Sequence, residues 1–228
     1  MRVSIHQPHY LPWLRYFDKI ARSDVFIVLD NIQYNKNGWQ NRNRIKTAHG
    51  SLLLTVPVFE HFAQPLDAVR INREIPWARK HLRSIEQAYH KAPFLSEHLE
   101  FLHDVYSRPW DRLNELNSVM LDYFIAALGI RTRMVRASEL EAPGTGTGRL
   151  VNLIRAVGGT HYYSGAYAMN AYLDRSLFDR AGIEVEWQNW IAPSYSQLYG
   201  PFIPDLSIID LLFNCGPNSL AILLGSGL

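Results

Sequence analysis

A chain of 228 residues with a net charge of only +2 lacks the strong field that marks a binder of nucleic acid or of anionic membranes. Its single cysteine, Cys215, excludes an internal disulfide and fits a reducing compartment, so a cytoplasmic location is expected. No apolar run approaches the roughly 20 residues needed to span a bilayer, and no basic-then-apolar leader opens the sequence, so neither membrane insertion nor secretion is expected.

Hydrophobic residues make up 47% of the chain, enough for a substantial core, and a single domain over residues 1–228 is the expectation. Arg2–Ile5 reads as a short buried strand. Leu14, Phe17, Ile20 and Ala21 recur at helical spacing and predict a helix over Leu11–Arg22, with Pro12 in its first turn. Val25–Leu29 is a continuous apolar run ending at Asp30, the pattern of a strand buried on both faces. Strand, helix and strand in so short a span predict a right-handed parallel βαβ unit.

Asn41–Val58 reads as a β-hairpin turning at Ala48-His49-Gly50-Ser51. Helices are predicted over Trp77–Tyr89, Leu95–Val105 and Trp110–Leu128, the last closed by Gly129; together they form a helical insertion over residues 76–129. Arg131–Val135 reads as a third parallel strand. A Pro/Gly/Thr loop, Glu141–Gly148, leads into an amphipathic helix over Arg149–Val157. Thr160–Tyr163 and Ile183–Trp187 read as the fourth and fifth strands, with short helices over Ala166–Leu173 and Arg175–Ala181 between them. A loop rich in Pro and Tyr and two short apolar helices finish the chain. This alternation predicts an α/β, Rossmann-like fold: a mainly parallel sheet of about five strands with a β-hairpin and an inserted helical block.

Polar residues collect where the first strand meets the first helix, the place where α/β proteins hold ligands. His6 and His9, three apart, can act as acid and base or donate to an anion. The plainer alternative is a satisfied histidine at a strand end and a second in a turn. Gln7, Tyr10 and Trp13 complete this knot. A second set follows the next strand: Asp30, Gln33, Asn37, Trp39, Gln40 and Arg42. Amides suit uncharged polar ligands, Trp39 can stack on a ring, and Arg42 can grip phosphate or carboxylate; an Asn-rich surface turn is the alternative.

Tyr163 and Ser164 end the fourth strand, where they either face the crevice or close a tight turn. Tyr195 and Gln197 lie in a late loop able to cover a site. Asp210, alone in an apolar helix, must have a partner if buried, such as a backbone amide or a basic side chain. Cys215 sits among apolar neighbours and reads as an inert buried thiol rather than a nucleophile. Thr145 and Thr147 can cap a helix or bind an anion, but the loop has no Walker ending. No third ligand supports a metal site beside His6 and His9.

IHQPHYLPW (Ile5–Trp13), YFDKIARSDVFIVLDNIQY (Tyr16–Tyr34) and NGWQNRNRIKT (Asn37–Thr47) resemble the WbqC-like family. HYYSGAYAMNAYL (His161–Leu173) and PDLSIIDLLFNCGPNS (Pro204–Ser219) extend the resemblance over essentially the whole chain. It implies a bacterial biosynthetic role associated with polysaccharide and O-antigen assembly. The strand–histidine–helix opening is more loosely similar to HIGH-motif nucleotidyltransferases and pantothenate synthetases, although His6-x-x-His9 replaces their motif.

Three functions are therefore carried forward. The first is a transferase moving an acyl or aminoacyl group to an amine of an amino sugar or small metabolite, with an acyl thioester or acyl-carrier protein as donor. The second is ATP- and magnesium-dependent carboxylate activation or nucleotidyl transfer. The third is a non-catalytic module binding a sugar nucleotide or carrier protein.

Overall fold

Five strands pair in parallel into one sheet: β1 (Arg2–His6), β2 (Val25–Val28), β7 (Arg133–Arg136), β8 (His161–Gly165) and β9 (Glu184–Gln188). Their spatial order is β7-β2-β1-β8-β9. Counted along the chain, that is the 3-2-1-4-5 order of a doubly wound sheet, and it reverses between β1 and β8. The structure, a computed structural model, describes residues 1–59, 64–165 and 173–225.

The chain gathers into two compact units. The first comprises Met1–Gln7, Asp18–Asn31 and Arg131–Ile191 and contains the whole sheet. β2 reads VFIV and is buried at every position, which is why it carries no polar alternation. Val3, Ile5, Val25, Ile27 and Tyr162 from the strands, and Ile183 just before β9, pack with Val151, Leu153 and Ile154 of α5 (Gly146–Ala156) and Phe178 of α6 (Arg175–Ala181). The packing leaves no room beside β1: a Cβ on Gly159 would stand 2.5 Å from Val3 Cγ2 and 2.6 Å from Ile154 Cγ2. Asp174 caps α6 by accepting from the Ser176 amide, and Gly182 closes it in a left-handed conformation.

The second unit comprises Pro8–Phe17, Ile32–Ile130 and Ala192–Leu228. A hairpin of β3 (Arg42–Thr47) and β4 (Gly50–Thr55) turns through Ala48 and His49 alone, since Thr47 pairs directly with Gly50. A two-stranded pairing of β5 (Val58–Phe59) with β6 (Arg70–Ile71) was not foreseen in the sequence. Helices α2 (Trp77–Tyr89), α3 (Leu99–Ser107), α4 (Leu113–Leu128), α7 (Ile208–Cys215) and α8 (Ser219–Leu223) complete it. Phe101 stacks flat on Tyr123 at 3.5 Å, and Phe213 meets Tyr89 edge-on.

The first helix departs from its predicted start. α1 spans Leu14–Ala21 rather than beginning at Leu11. Leu11 has a left-handed φ of 45°, and Trp13 forms an antiparallel bridge with Ser207 while the Pro12 carbonyl accepts from the Ile208 amide. These residues are held by main-chain pairing to a distant segment before the helix can begin. The third predicted helix likewise starts at Leu113, where the Leu113 amide bonds the Val69 carbonyl. The helix expected over Ala166–Leu173 falls almost wholly on residues outside those described.

Candidate functional site

In the first unit, polar side chains meet at the carboxyl ends of the strands. His6 is the last residue of β1 and pairs with Val28 of β2. Its Nδ1 lies 3.1 Å from the Gln7 carbonyl oxygen. A carbonyl only accepts, so Nδ1 carries the proton and Nε2 is the basic nitrogen. On the neighbouring strand end, Ser164 is buried, and a Cβ on Gly165 would come 3.6 Å from the Lys19 ammonium. The order reversal between β1 and β8 thus carries an imidazole on one side and an ammonium on the other.

The sequence pointed to His6, Gln7, Tyr163 and Ser164 here but missed Asp18 and Lys19. Both are almost fully buried on α1, and Asp18 accepts from Arg22 Nε at 2.6 Å and from Gln188 Nε2 at 2.7 Å. The signal was present: a charged pair in YFDKIAR at positions flanked by buried Phe17 and Ile20, where charges need partners. Tyr163 turns toward this same group. Burial, the Asp18 charge and the opposing Arg22 and Arg2 leave its phenol pushed up to about 12. Asp30 spends both carboxylate oxygens on Ser138, accepting from its amide at 3.0 Å and its hydroxyl at 2.7 Å, which ties the end of β2 to the turn after β7. In the glycine-rich loop, Thr147 Oγ1 accepts from the Asp174 amide, and Thr145 makes no side-chain cap.

The second unit holds the remaining candidates, divided among three arrangements. The first is a buried relay. Tyr106 and Tyr10 share a 2.5 Å hydroxyl contact, Tyr10 reaches His81 Nδ1 at 2.8 Å, and His81 bonds the Thr55 carbonyl. Burial holds the His81 imidazole down at about 4, so it is neutral.

The second arrangement centres on Asp210, in the first turn of α7 and wholly buried. Its Oδ1 accepts from the Tyr89 hydroxyl, and its Oδ2 from the Tyr195 hydroxyl and Gln197 Nε2, each at 2.8 Å. These are neutral donors rather than the backbone amide or cation the sequence suggested. Burial raises the Asp210 carboxyl, an effect opposed by its three donors and by the Lys46 charge. Lys46, also buried, gives its ammonium to Gln197 Oε1 at 3.0 Å and to the Pro201 carbonyl at 2.6 Å. Gln197 closes the circuit on Ile203, donating to its carbonyl and accepting from its amide. Tyr195 and Gln197 therefore stand beside Asp210.

The third is a pocket of about 220 Å³. Trp13 and Trp39 meet edge-to-face at 5.1 Å, Arg15 lies 5.0 Å over the Trp13 ring, and Arg44 lies 5.9 Å over Trp39. The run Ile203–Leu206 supplies the facing wall. Of the sequence candidates, Trp13 and Trp39 line it. His9 packs behind, buried, with its ring 5.1 Å from Trp13 and 5.6 Å from Tyr16. Gln40 is fully buried and accepts from the Asn35 amide, while Arg42 donates to the Gly38 and Asn37 carbonyls. Asn37, with a φ of 64°, and exposed Gln33, bridged to Pro65, belong to the same loop. Arg15, Arg44 and Asp205 were not singled out in the sequence. Among the described residues, no three His, Cys, Asp or Glu side chains gather as a metal site, and no helix is long and apolar enough to cross a membrane.

A parallel sheet with an imidazole at its order reversal, joined to a hairpin-and-helix unit bearing an indole–guanidinium pocket, defines an α/β protein built around strand-end polar groups. The WbqC-like protein family matches residues 7–222, and the chain belongs to that family. The uncharacterized protein Rv1507c of Mycobacterium tuberculosis is 39% identical over 222 residues, covering 96% of this chain and 95% of that protein. No solved structure matches significantly. Family membership suggests a biosynthetic role.

Proposed function

We propose that this chain is a biosynthetic transferase that moves an acyl or aminoacyl group onto an amine of an amino sugar or small metabolite, with His6 as its acid/base. The observation that supports this most directly is the state of His6. It ends β1 at the order reversal, and its Nδ1 lies against the Gln7 carbonyl oxygen, so in the neutral ring the basic nitrogen is Nε2. In the proposed step the acceptor amine attacks the acyl carbonyl and a C–N bond forms. His6 Nε2 takes the proton the nitrogen sheds and returns it to the leaving group, a thiolate or a phosphate. The Lys19 ammonium at the end of β8 supplies positive charge for the oxyanion that develops on the carbonyl.

The test compares wild type with His6→Ala. Each purified protein is incubated with a metabolite extract supplemented with amino sugars and acyl thioesters, and new amide products are read by mass spectrometry. Loss of about 10²- to 10⁴-fold in product formation is expected for the variant. Full turnover by His6→Ala would overturn the assignment. Pyrophosphate release on adding ATP and magnesium, with product formed from a free carboxylate, would shift the donor to an activated carboxylate. Ligand retention with no turnover by the wild type would instead describe a binding module.

A further inference from the structure

The Trp13–Trp39 pocket has the makings of a charge-selective site. We infer that it binds one small zwitterionic molecule, a protonated amine and a carboxylate or phosphate carried on a ring-bearing body. Four observations lead there.

The anionic end is drawn by guanidinium groups. Arg15 and Arg44 each lie over an indole, and Arg44 keeps its N–H edge for bidentate contact. Among the described residues, the Arg44 side chain has no hydrogen-bond or ion-pair partner beyond that ring contact.

The amine is drawn by Asp205. This carboxylate lines the same pocket as the two arginines, yet it forms no ion pair with any described residue. Arg44 and Asp205 share this small pocket with no ion pair between them, so both remain available to a ligand carrying both signs. Asp205 also holds a left-handed φ of 55°, a conformation that Asp and Asn adopt more readily than other non-glycine residues.

The wall that presents Asp205 is rigidly founded. Gln197 clasps Ile203 through both main-chain groups and is itself held by Asp210 and Lys46, while the Ser207 amide bonds the Arg44 carbonyl. A polar circuit thus fixes the run that carries a surface carboxylate into the same pocket as Arg44, the support that a binding site needs.

Finally, the size sets the class. A volume of about 220 Å³ falls below the roughly 300–1,000 Å³ of pockets for drug-sized ligands. It suits a single amino-sugar phosphate or a single aromatic amino acid. Trp13 and Trp39 provide the aromatic wall beside which either ring would pack.

This inference does not rest on the transferase reading, and its failure would leave that reading untouched. The test is isothermal titration of the full chain with glucosamine 6-phosphate and with phenylalanine, which separates the two sources. Glucose 6-phosphate, glucosamine, phenethylamine and hydrocinnamate serve as controls that each lack one charge. One zwitterion should bind saturably and at least tenfold more tightly than its single-charge counterparts. Arg44→Ala and Asp205→Asn should each weaken it about tenfold or more. Asn tolerates the left-handed backbone, so Asp205→Asn removes the charge while keeping the fold, which an unchanged melting temperature would show. In that variant the zwitterion and its amine-free counterpart should bind alike. Binding of neither zwitterion, equal binding by the single-charge controls, or full affinity in both pocket variants would overturn the inference.

Discussion

The two units bury a carboxylate in opposite ways. In the sheet unit, Asp18 is paired with the Arg22 guanidinium, whose side chain is still 42% exposed, and with the Gln188 amide. In the second unit, Asp210 is sunk completely and gathers two tyrosine hydroxyls and a glutamine amide, all of them neutral donors. One carboxylate is tethered to a partner with an escape route. The other is the anchor on which Tyr89 of a helix, the Tyr195–Ile203 loop and the pocket wall converge.

The sharpest way to break this comparison is to remove the anchor. Asp210→Ala takes the acceptor from two tyrosine hydroxyls, each loss costing about 1–3 kcal/mol, while Gln197 Nε2 keeps the Ile203 carbonyl, so a loss of about 3–5 kcal/mol is expected in urea unfolding at neutral pH. A loss below about 1 kcal/mol would show that water or a neighbouring group replaces the carboxylate and that the hub is not an anchor.

The next effect separates the units by pH. His81 is held near 4 in the folded second unit, while an unfolded histidine titrates near 6.5. Between those values the unfolded chain binds a proton that the folded chain refuses, so stability falls as pH drops through this window. The full excursion is worth about 3 kcal/mol. His81→Asn should flatten that acid limb in a pH series of unfolding curves. An unchanged slope would mean that other groups carry the acid sensitivity.

How much of this was legible in the sequence follows the same division. The sheet could be read because its strands are contiguous apolar runs such as VFIV, separated by helices that close on Gly158 or Gly182. Local pattern and parallel pairing agree there. The second unit is written in long-range contacts. The start of α1 is displaced by a bridge between Trp13 and Ser207, and no local pattern near Pro12 announces a partner so distant in the chain. The candidate residues divide likewise. His6 stands at a strand end because the strand itself was visible. Gln40 and Arg42 carry amide and guanidinium groups that look the same in sequence whether they face a ligand or the main chain, and here they bond Asn35, Asn37 and Gly38. Asp205 gave no signal because its distinguishing feature is a backbone angle.

Asp18→Ala sharpens the contrast at a smaller scale. Arg22 can turn into water and the Gln188 amide loses one acceptor, so a loss of about 1–2 kcal/mol is expected against the larger loss at Asp210. Equal losses at the two sites would mean that the exposed route of Arg22 carries no energetic weight.

The smallest effect reads the charge on Asp210 through its neighbour. Burial, reinforced by that carboxylate, pushes the Cys215 thiol up to about 11. At pH 8 its thiolate fraction is then roughly 200-fold below that of an ordinary cysteine titrating near 8.5, and alkylation by iodoacetamide should slow in proportion. Asp210→Asn removes the charge while keeping most of the volume, so the thiol should titrate lower and alkylate faster, still short of a free thiol because burial remains. If Cys215 reacts in the wild type as quickly as a small thiol, the site is more open than its neighbours indicate. If Asp210→Asn leaves the slow rate unchanged, burial alone governs the thiol, and the carboxylate's influence ends at its hydrogen-bonded donors.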